Sequence, residues 1–397
     1  MENDSFITRL IIRSFKSIVD QEIELGLVNV FIGANGSGKS NVLEALGVLS
    51  AAASGRVDDE SLQRRGVRPG VPRLYKSAFE VPFPLHIYFE AKSEAAGFSV
   101  SLNNHLGRPR PAWQYKTEEL RSGNKKVASR GRGTAKNSEQ GIAALTVVEL
   151  QESNPAVQLL NVLRDYVIYT PNTPVLRGLT PDPQTREPVG LAGGRLAEAV
   201  GELKTLALGN DFLEDGLDDI LEMIDWIRDF DTTDSVRTIL SSSVARPKQT
   251  LRFYDRLMRT GKNILTAYDA SEGALYVLFC AVLALLPNAP KCLAVDNLDQ
   301  ALNPRLAQKL VSYLCKWITN NPWQRQMLFT AHNPAILDGL SLQDPRVNLF
   351  AVDRNSLGHT IVRPIVVTDE LRRLNQEKGW PLSRLWVMGH LGGVPNV

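Results

Sequence analysis

Apolar residues recur along this chain with two periods, and the change of period marks its elements. Near the start, apolar stretches at 6–15, 20–26 and 28–33 predict three strands, and a helical pattern follows at 40–52. After about residue 250, strand-like runs alternate with helical ones. The predicted strands there lie at 250–254, 292–296, 326–331, 347–352 and 360–367, and the predicted helices begin at Ser271 and Pro304. This alternation predicts an α/β fold with a mixed, mainly parallel sheet and crossover helices.

The middle of the chain has a different pattern, which predicts an insertion. Two strands are predicted within 84–104, and residues 107–136 then carry nine Lys/Arg against two Glu, with many glycines. This composition predicts a mobile basic surface loop over 106–140. A helical part follows to about residue 235, and its predicted apolar face holds Phe212, Leu217, Ile220, Leu221, Ile224 and Ile227. The predicted organisation is an N-terminal lobe (1–105), an insertion (106–250) and a C-terminal lobe (251–397).

Composition and charge narrow the class of protein. The chain has 397 residues, of which 43% are hydrophobic and 22% charged, and a formal net charge of +2. Bulk charge therefore demands neither a nucleic-acid nor a membrane partner. The three cysteines lack metal-ligand spacing, the first residues lack a signal-peptide pattern, and the longest apolar run is too short to cross a bilayer. We expect a soluble, cytoplasmic protein with no membrane partner.

The strongest candidate chemistry lies in "GANGSGKS", Gly33 to Ser40, which fits the pattern G-x-x-x-x-G-K-[ST] between a strand and a helix. Glycines let backbone N–H groups surround phosphate oxygens, and the helix N-terminus adds partial positive charge. Lys39 is expected to reach the β- and γ-phosphates and Ser40 to ligate Mg²⁺. The predicted cofactors are ATP and Mg²⁺.

Three later stretches supply polar groups at the ends of predicted elements. "CLAVD" is an apolar strand that ends in Asp296, where ligands of parallel sheets bind, so Asp296 is a candidate partner of the Mg²⁺ ion. In "SEGAL", Ser271 is either a plain helix N-cap or part of an anion site at that helix end. In "FTAHNP", His332 follows a strand and is placed where a γ-phosphate can be sensed.

These four stretches, in this order, resemble the ABC-type ATPase heads of RecF, SMC and OLD-family proteins. They are most similar to the short, standalone AAA-family ATPases of bacterial defence loci. "ITRLIIRSFKSI" and "LQRRGVRPGVPRLYKSAF" (62–79) resemble segments of these proteins, "VDNLDQALNP" resembles D-E-P-E-x-x-L-H-P, and "TAHNPAILD" resembles T-H-S-P-x-x-L-D. The likeness covers 1–80 and 265–365 well. It implies a P-loop ATPase head. No long heptad segment is present, so we expect no long coiled coil.

The resemblance implies a role for each candidate residue. Ser271, Glu272 and Gly273 form a signature that would meet the nucleotide of a second subunit, in a homodimer or higher oligomer held by ATP. Ser40 and Asp296 would hold the metal. The implied catalytic residues are Asn297, Asp299 and His332. The implied ATP-binding residues are Lys16, Asn35, Gly36, Ser37, Gly38, Lys39, Ser40 and Asn41.

The sequence departs from the family pattern at Asn297, where these ATPases usually have the glutamate that acts as general base. An amide can orient water but cannot take its proton, and general-base catalysis is worth roughly 10²–10⁴ in rate. Asp299 and His332 can compensate in part. We expect slow hydrolysis and a long-lived ATP-bound dimer.

Three functions are compatible with these patterns. The first is an ATP-dependent sensor or DNA-associated ATPase in anti-phage defence or DNA maintenance. The second is a hydrolysis-incompetent, nucleotide-gated scaffold that holds and releases a separate nuclease or toxin effector. The third, a transporter ATPase, is disfavoured because partner-helix features are missing.

DNA is a possible partner through the basic segment, with disorder or protein docking as the alternatives. The cations expected to contact phosphates are Arg108, Arg110, Lys125, Lys126, Arg130 and Arg132, and Trp113 and Tyr115 are candidates for stacking on bases.

Overall fold

A computed structural model describes residues 6–131, 138–234, 248–366 and 379–391. The strands are β1 (Arg9–Phe15), β2 (Ile18–Glu24), β3 (Val28–Ile32), β4 (Ile87–Lys92), β5 (Ala96–Asn103), β6 (Gln114–Ser122), β7 (Lys125–Arg130), β8 (Val167–Tyr169), β9 (Ile227–Thr233), β10 (Thr250–Asp255), β11 (Ile264–Thr266), β12 (Cys292–Val295), β13 (Gln326–Ala331), β14 (Val347–Arg354) and β15 (Thr360–Pro364). The helices are α1 (Lys39–Ala53), α2 (Asp59–Gln63), α3 (Pro72–Tyr75), α4 (Ala143–Thr146), α5 (Pro155–Asp165), α6 (Thr173–Leu176), α7 (Leu196–Ala207), α8 (Asp211–Met223), α9 (Glu272–Leu285), α10 (Pro304–Thr319) and α11 (Leu382–Val387), with 3₁₀ turns at Val147–Glu149 and Pro334–Gly339.

A six-stranded sheet in the order β15-β14-β3-β13-β12-β8 forms the centre of the fold. Its strands run parallel except β15, which pairs antiparallel with β14. Every residue of β3, β12 and β13 is buried, because helices cover both faces of the sheet. Side chains on one face pack in a core with α7 to α10, and those on the other pack with α1 and α5. The predicted α/β class with a mixed, mainly parallel sheet is confirmed.

A second sheet, antiparallel and in the order β2-β1-β4-β5-β6-β7, packs on the α1 side of the central sheet. The prediction of a mobile loop over 106–140 is wrong for much of its length, because β6 and β7 form a hairpin that extends this sheet. β6 pairs with β5 along its length, so the sheet continues across the predicted boundary at 105. The basic residues suggested a loop, but every second or third side chain of β6 is buried against the core.

The third sheet has three strands, in the order β11-β10-β9, and packs beside α7 and α8. The predicted helical face ends earlier than expected, since α8 stops at Met223 and Ile227 begins β9. Ile220 and Ile224 are buried as predicted, whereas Phe212, Leu217 and Leu221 are only partly buried. The predicted helix from Ser271 is confirmed, and no helix of the described ranges is long and apolar enough to cross a membrane.

Arg325 joins the end of α9 to the start of β13. Its side chain is 1% exposed, and its guanidinium donates to the main-chain oxygens at the end of α9 and in the loop after it, which belong to Leu283, Ala284, Leu286, Ala289 and Pro290. These carbonyls have no partner within the helix, so the arginine acts as a buried C-terminal cap. It fixes the signature helix to the strand that leads to His332.

Candidate nucleotide-binding site

Three neighbouring parallel strands end together and place the candidate residues along one edge of the central sheet. β3 leads into the glycine-rich loop, β12 into Asp296, and β13, which lies between them, into His332. The carboxyl ends of parallel strands are where α/β folds bind ligands. The topology therefore brings together residues that are up to 300 positions apart in the sequence.

Lys39 lies inside its own loop. Its Nζ donates to the carbonyl oxygens of Gly33 (2.8 Å) and Ala34 (2.9 Å) and lies 3.3 Å from Nδ1 of His332. Burial lowers the pKa of Lys39 to about 8, although Asp296 and Asp299 oppose the shift. A buried ammonium held only by carbonyls and a ring nitrogen is a site for an anion, because phosphate oxygens would supply the missing negative charge.

Ser40 and Asp296 contact each other directly. The Ser40 hydroxyl donates to Asp296 Oδ1 at 3.0 Å, and the Thr330 hydroxyl donates to the same oxygen at 2.5 Å. Among the described residues no group of three His, Cys, Asp or Glu side chains is arranged to hold a metal. A hydroxyl and one carboxylate fit Mg²⁺ bound with phosphate oxygens and water, which is how this cation is usually held beside nucleotides.

Contacts from both ends of the chain support the glycine-rich loop. The Thr360 hydroxyl donates to the Ser37 carbonyl at 2.7 Å and lies 2.7 Å from Ser17 Oγ, which accepts from the Asn41 amide at 2.7 Å. A Cβ at Gly38, where φ is 107°, would lie 2.1 Å from Thr360 Oγ1. Only glycine fits at this position, because Thr360 at the start of β15 packs directly against the loop.

Two features of the loop fit a phosphate group. The buried Ser37 hydroxyl has no hydrogen-bond partner, which leaves a donor available. Asn35 and Gly36 are exposed at the tip, and no atom lies within 4 Å of a Cβ added at Gly36. The donors and the space needed for a bound phosphate are thus both present.

Asn297 has a left-handed backbone, with φ of 56°. Its N–H donates to Thr330 Oγ1 at 2.8 Å, and its side-chain Oδ1 lies 3.0 Å from His332 Nε2. Asparagine tolerates this conformation better than most residues with a side chain, and glutamate does not share that tolerance. Asparagine in place of glutamate at residue 297 therefore suits the backbone conformation there, as well as changing the chemistry of the side chain.

Asp299 is engaged with the loop that carries His332. Its Oδ2 accepts the backbone N–H groups of His332, at 2.9 Å, and of Asn333. The other oxygen, Oδ1, is buried and has no partner. Asp299 thus anchors the loop through one oxygen and keeps the other available, and its role as a base stays a prediction.

Lys16 does not point freely into the loop. Its ammonium is paired with Glu44, a 3%-exposed carboxylate on α1 that also pairs with Arg68. Lys16 lies 5.5 Å from the ring centre of Phe15 and 5.3 Å from that of Tyr75, and burial lowers its pKa. A direct contact between Lys16 and ATP stays a prediction, since this pair would have to open.

The signature residues lie on the surface at the start of α9. Ser271 and Glu272 are exposed, and Ser271 Oγ caps the helix through the Ala274 N–H at 3.4 Å. Ser271 and Asn303 line one cavity of about 250 Å³. The segment after Asp296 thus ends beside Ser271, and the contact of Ser271 with a second subunit stays a prediction.

The basic segment has only some of the predicted nucleic-acid features: Arg108 and Lys125 are exposed, and a contact with DNA stays a prediction. Trp113 and Tyr115 are 4% and 2% exposed, so the prediction that they stack on bases is wrong. Trp113 packs on the Tyr75 ring and the Tyr115 hydroxyl donates to Ala52 O. Arg132 lies outside the described residues. Of the other predicted cations, Lys126 pairs with Glu119, Arg110 pairs with Glu139, and Arg130 is buried.

Sequence patterns missed Glu44, Arg68, Thr330 and Thr360. Thr330 lies in "FTAHNP", two positions before the quoted histidine, and a polar residue near the end of a buried strand was the available signal. Glu44 was a similar signal, as a charge inside an otherwise apolar helix. Thr360 contacts residues more than 300 positions away, and no local pattern reveals that.

Comparison with known proteins gives a family for most of the chain. Residues 28–338 match the family model described as "AAA domain, putative AbiEii toxin, Type IV TA system". Over 58 residues the chain is 45% identical to the DNA replication and repair protein RecF of Renibacterium salmoninarum. That match spans 14% of each protein.

Solved structures with a similar fold include SMC heads. An SMC head crystallised with the C-winged helix domain of ScpA is matched with a TM-score of 0.53 and 12% identity, over 91% of this chain and 98% of that one. The SMC head domain from Thermotoga maritima is matched with a TM-score of 0.45 and 14% identity, over 90% and 98%. The fold is that of an ATPase head of the ABC, RecF and SMC type.

Proposed function

Because the chain belongs to the AAA-domain family described above, of AbiEii type, we propose that it is an ATP-dependent switch that hydrolyses ATP slowly. In this proposal ATP and Mg²⁺ bring two copies together, and the long-lived dimer acts as a sensor or regulator in bacterial anti-phage defence or DNA maintenance. The toxin–antitoxin description of the family and the partial match to RecF support these two settings. The observation that carries the proposal is the chemistry at residue 297.

The hydrogen bonds around His332 determine what Asn297 can offer a ligand. An ammonium only donates, so the contact from Lys39 makes His332 Nδ1 the acceptor, and burial and Lys39 both lower the pKa of His332. The proton of the neutral ring then lies on Nε2, which donates to Asn297 Oδ1. The amide nitrogen of Asn297 is left as a donor, suited to a phosphate oxygen and unable to remove a proton from water.

The residues that would hold the phosphates and Mg²⁺ lie together, in contrast to the missing general base. Lys39 and the loop amides would hold the β- and γ-phosphates, and Ser40 with Asp296 would hold Mg²⁺. The ion would neutralise charge on the phosphates and polarise the γ-phosphoryl group. Because phosphoryl transfer depends mainly on positioning and charge neutralisation, loss of the base slows the reaction without abolishing it.

Dimerisation is proposed through the signature. Ser271, Glu272 and Gly273 are accessible at the N-terminus of α9, a 14-residue helix whose positive end suits a phosphate. A second copy would place its nucleotide there, so that each ATP is held by two subunits. The exposure of Ser271 and Glu272 supports this arrangement.

A hydrolysis-incompetent scaffold is the second candidate, and the donor character of the Asn297 amide favours it. In that case the ATP-bound dimer would bind a separate nuclease or toxin effector, and exchange of the bound nucleotide would release it. The two candidates differ in one measurable quantity, phosphate release by the ATP-bound dimer.

The experiment follows ATP binding, light scattering and phosphate release with purified protein. Slow turnover together with ATP-driven dimers supports the switch, dimers without any turnover support the scaffold, and rapid turnover refutes both. Gly273→Arg tests the interface by placing a large side chain at the proposed contact; its Cβ would lie 3.0 Å from Leu306 Cδ2, so that leucine must shift slightly to accommodate it. Glu152→Arg adds the same side chain at an exposed position and is the matched control. Normal dimers from Gly273→Arg would refute the signature assignment.

A further inference from the structure

An exposed apolar surface lies beside the nucleotide loop and has no role in the proposed site. Residues 71–85 expose large apolar side chains to an unusual extent, and Val81 is 97% exposed. The Phe79 ring lies close to Gly358, whose neighbour in the chain, Leu357, is 68% exposed. This surface, called the apolar face below, comprises Val71, Leu74, Phe79, Val81, Leu85 and Leu357. Single exposed apolar residues are ordinary, whereas several together mark an interaction site.

The charge around the apolar face is positive. Arg73 is exposed on its segment, and Arg354 lies 5.9 Å from the ring centre of Phe79; Arg68, just before the segment, is exposed but paired with Glu44. Glu80 is the one carboxylate in residues 71–85, and it is turned inward, with one oxygen accepting from Ser14 and the other buried. An apolar surface with Arg73 and Arg354 at its edge, and with no outward carboxylate within residues 71–85, complements an acidic, amphipathic segment.

Two routes connect the apolar face to the nucleotide loop. Along the first, Ser77 N–H donates to Ser14 O at 2.9 Å and Lys16 N–H donates to Tyr75 O at 2.8 Å. Ser14 and Lys16 both have left-handed backbones, with φ of 59° and 50°, so these contacts hold a strained turn. Lys16 then reaches α1, which begins in the loop.

The second route runs through the turn between β14 and β15. The Phe79 ring lies 5.6 Å from the His359 ring, and His359 adjoins Thr360. Thr360 donates its hydroxyl to the Ser37 carbonyl and its N–H to Ser17 O, each at 2.7 Å. A molecule that presses on Phe79 and Leu357 therefore bears on a residue that shapes the phosphate-binding loop.

We propose that the apolar face is the docking surface for a separate protein that presents an acidic, amphipathic helix, and that docking and nucleotide binding influence each other. A second copy of this chain is a poor occupant, because a symmetric contact would bring two basic edges together. The coupling rests on the proposed nucleotide switch, whereas the docking surface does not.

The test uses a defined probe. A synthetic helical peptide of about 18 residues, five turns, carries leucine at helical i, i+3 and i+4 spacing and glutamate elsewhere, and its control replaces every glutamate with lysine. Fluorescence anisotropy is expected to show binding of the acidic peptide at least about tenfold tighter than the lysine peptide. Val81→Asp with Leu357→Asp should weaken that binding about tenfold or more. Leu208→Asp, at an 81%-exposed leucine elsewhere, should leave it unchanged.

Coupling is measured with the same reagents. By linkage, saturating acidic peptide must change the affinity for ATP–Mg²⁺ by the same factor as ATP–Mg²⁺ changes the affinity for the peptide. Thr360→Val removes the hydroxyl that holds Ser37, and is expected to reduce that factor while peptide affinity without nucleotide is retained.

The outcomes separate the claims. Equal binding of both peptides, or undiminished binding by the aspartate variant, would overturn the docking surface. Loss of ATP-driven dimers in that variant would reassign the face to contact between copies. Peptide binding with no effect on ATP affinity would overturn the coupling alone. A protein that binds the acidic peptide selectively but fails to bind ATP would refute the proposed function and leave the docking surface standing.

Discussion

Substitutions at residue 297 test the slow-switch proposal most directly. Asn297→Glu restores a carboxylate next to Asp296, and general-base catalysis is typically worth roughly 10²–10⁴ in rate. We expect steady-state hydrolysis to rise about tenfold or more. A gain that can fall below that range is expected because His332 Nε2 contacts the side chain at residue 297, at 3.0 Å in the wild-type protein. The ATP-bound dimer should be correspondingly shorter-lived.

The backbone at residue 297 affects stability rather than rate. With φ of 56°, a glutamate or glutamine loses about 1–2 kcal/mol relative to asparagine, which tolerates the left-handed region. We expect the backbone to keep this conformation in the ATP-bound and transition states, so the strain should lower the free energy of unfolding and leave the barrier to hydrolysis unchanged.

Matched variants separate the two effects. Asn297→Gln carries the strain of glutamate without its charge, so a faster Asn297→Glu with a slow Asn297→Gln isolates the carboxylate. Asn297→Asp carries a carboxylate with little strain but a shorter reach. Phosphate release gives the rates, light scattering gives dimer lifetime, and urea unfolding gives stability. Rapid turnover by the wild-type protein, with no gain from Asn297→Glu over Asn297→Gln, would refute the reasoning.

Further predictions concern the neighbouring residues. Lys39→Ala should abolish ATP binding, and unchanged affinity by calorimetry would contradict the phosphate-loop assignment. Since burial lowers the pKa of Lys39 to about 8 and phosphates should raise it again, ATP binding should take up a proton and weaken by up to about tenfold per pH unit above 8. Stability depends on pH with the opposite sign. The free energy of unfolding of the ATP-free protein should rise between pH 8 and 10.5, because the unfolded state binds more protons than the folded state there. Asp299→Asn keeps one oxygen for the His332 loop and Asp299→Ala keeps none. If Asp299 only anchors the loop, hydrolysis should survive the first change and fall with the second, whereas equal loss with retained ATP binding would make Asp299 the base. Arg325→Met should lower the free energy of unfolding by about 3 kcal/mol or more, because several buried carbonyls lose a charged donor. Arg64→Met, which removes an exposed ion pair with Glu60, should change it by under about 1 kcal/mol.

Elements with strong periodicity were predictable because one local pattern decided them. The loop at Gly33, the strand before Asp296 and the helix capped by Ser271 lie where the sequence predicts them. The β6–β7 hairpin was not predictable, since its strands are polar on one side and lie at the edge of a sheet. Burial of Tyr115 comes from packing against α1, which lies some 60 positions away.

The motif residues of the candidate site were predictable, whereas its supporting residues and its contacts were not. Sequence spacing names Lys39, Asp299 and His332 but cannot reveal that Asp299 binds backbone N–H groups of the loop after β13. The left-handed φ of Asn297 and the contact of Thr360 with Ser37 are likewise products of the assembled fold. Such contacts depend on chain segments far apart in sequence, so local propensity carries no information about them.

The contacts of Lys39 in the ATP-free protein indicate how ATP binding would change the rest of the site. Its ammonium must leave the carbonyls of Gly33 and Ala34 to meet a phosphate, because the same three protons serve both. That movement also removes the contact that makes His332 Nδ1 an acceptor, so the ring becomes able to change tautomer or partner. His332 is held through its backbone by Asp299, and its side chain contacts Asn297, so the change reaches both residues at once. The binding step itself would then alter the loop after β13, without hydrolysis, as a switch with an amide at residue 297 requires.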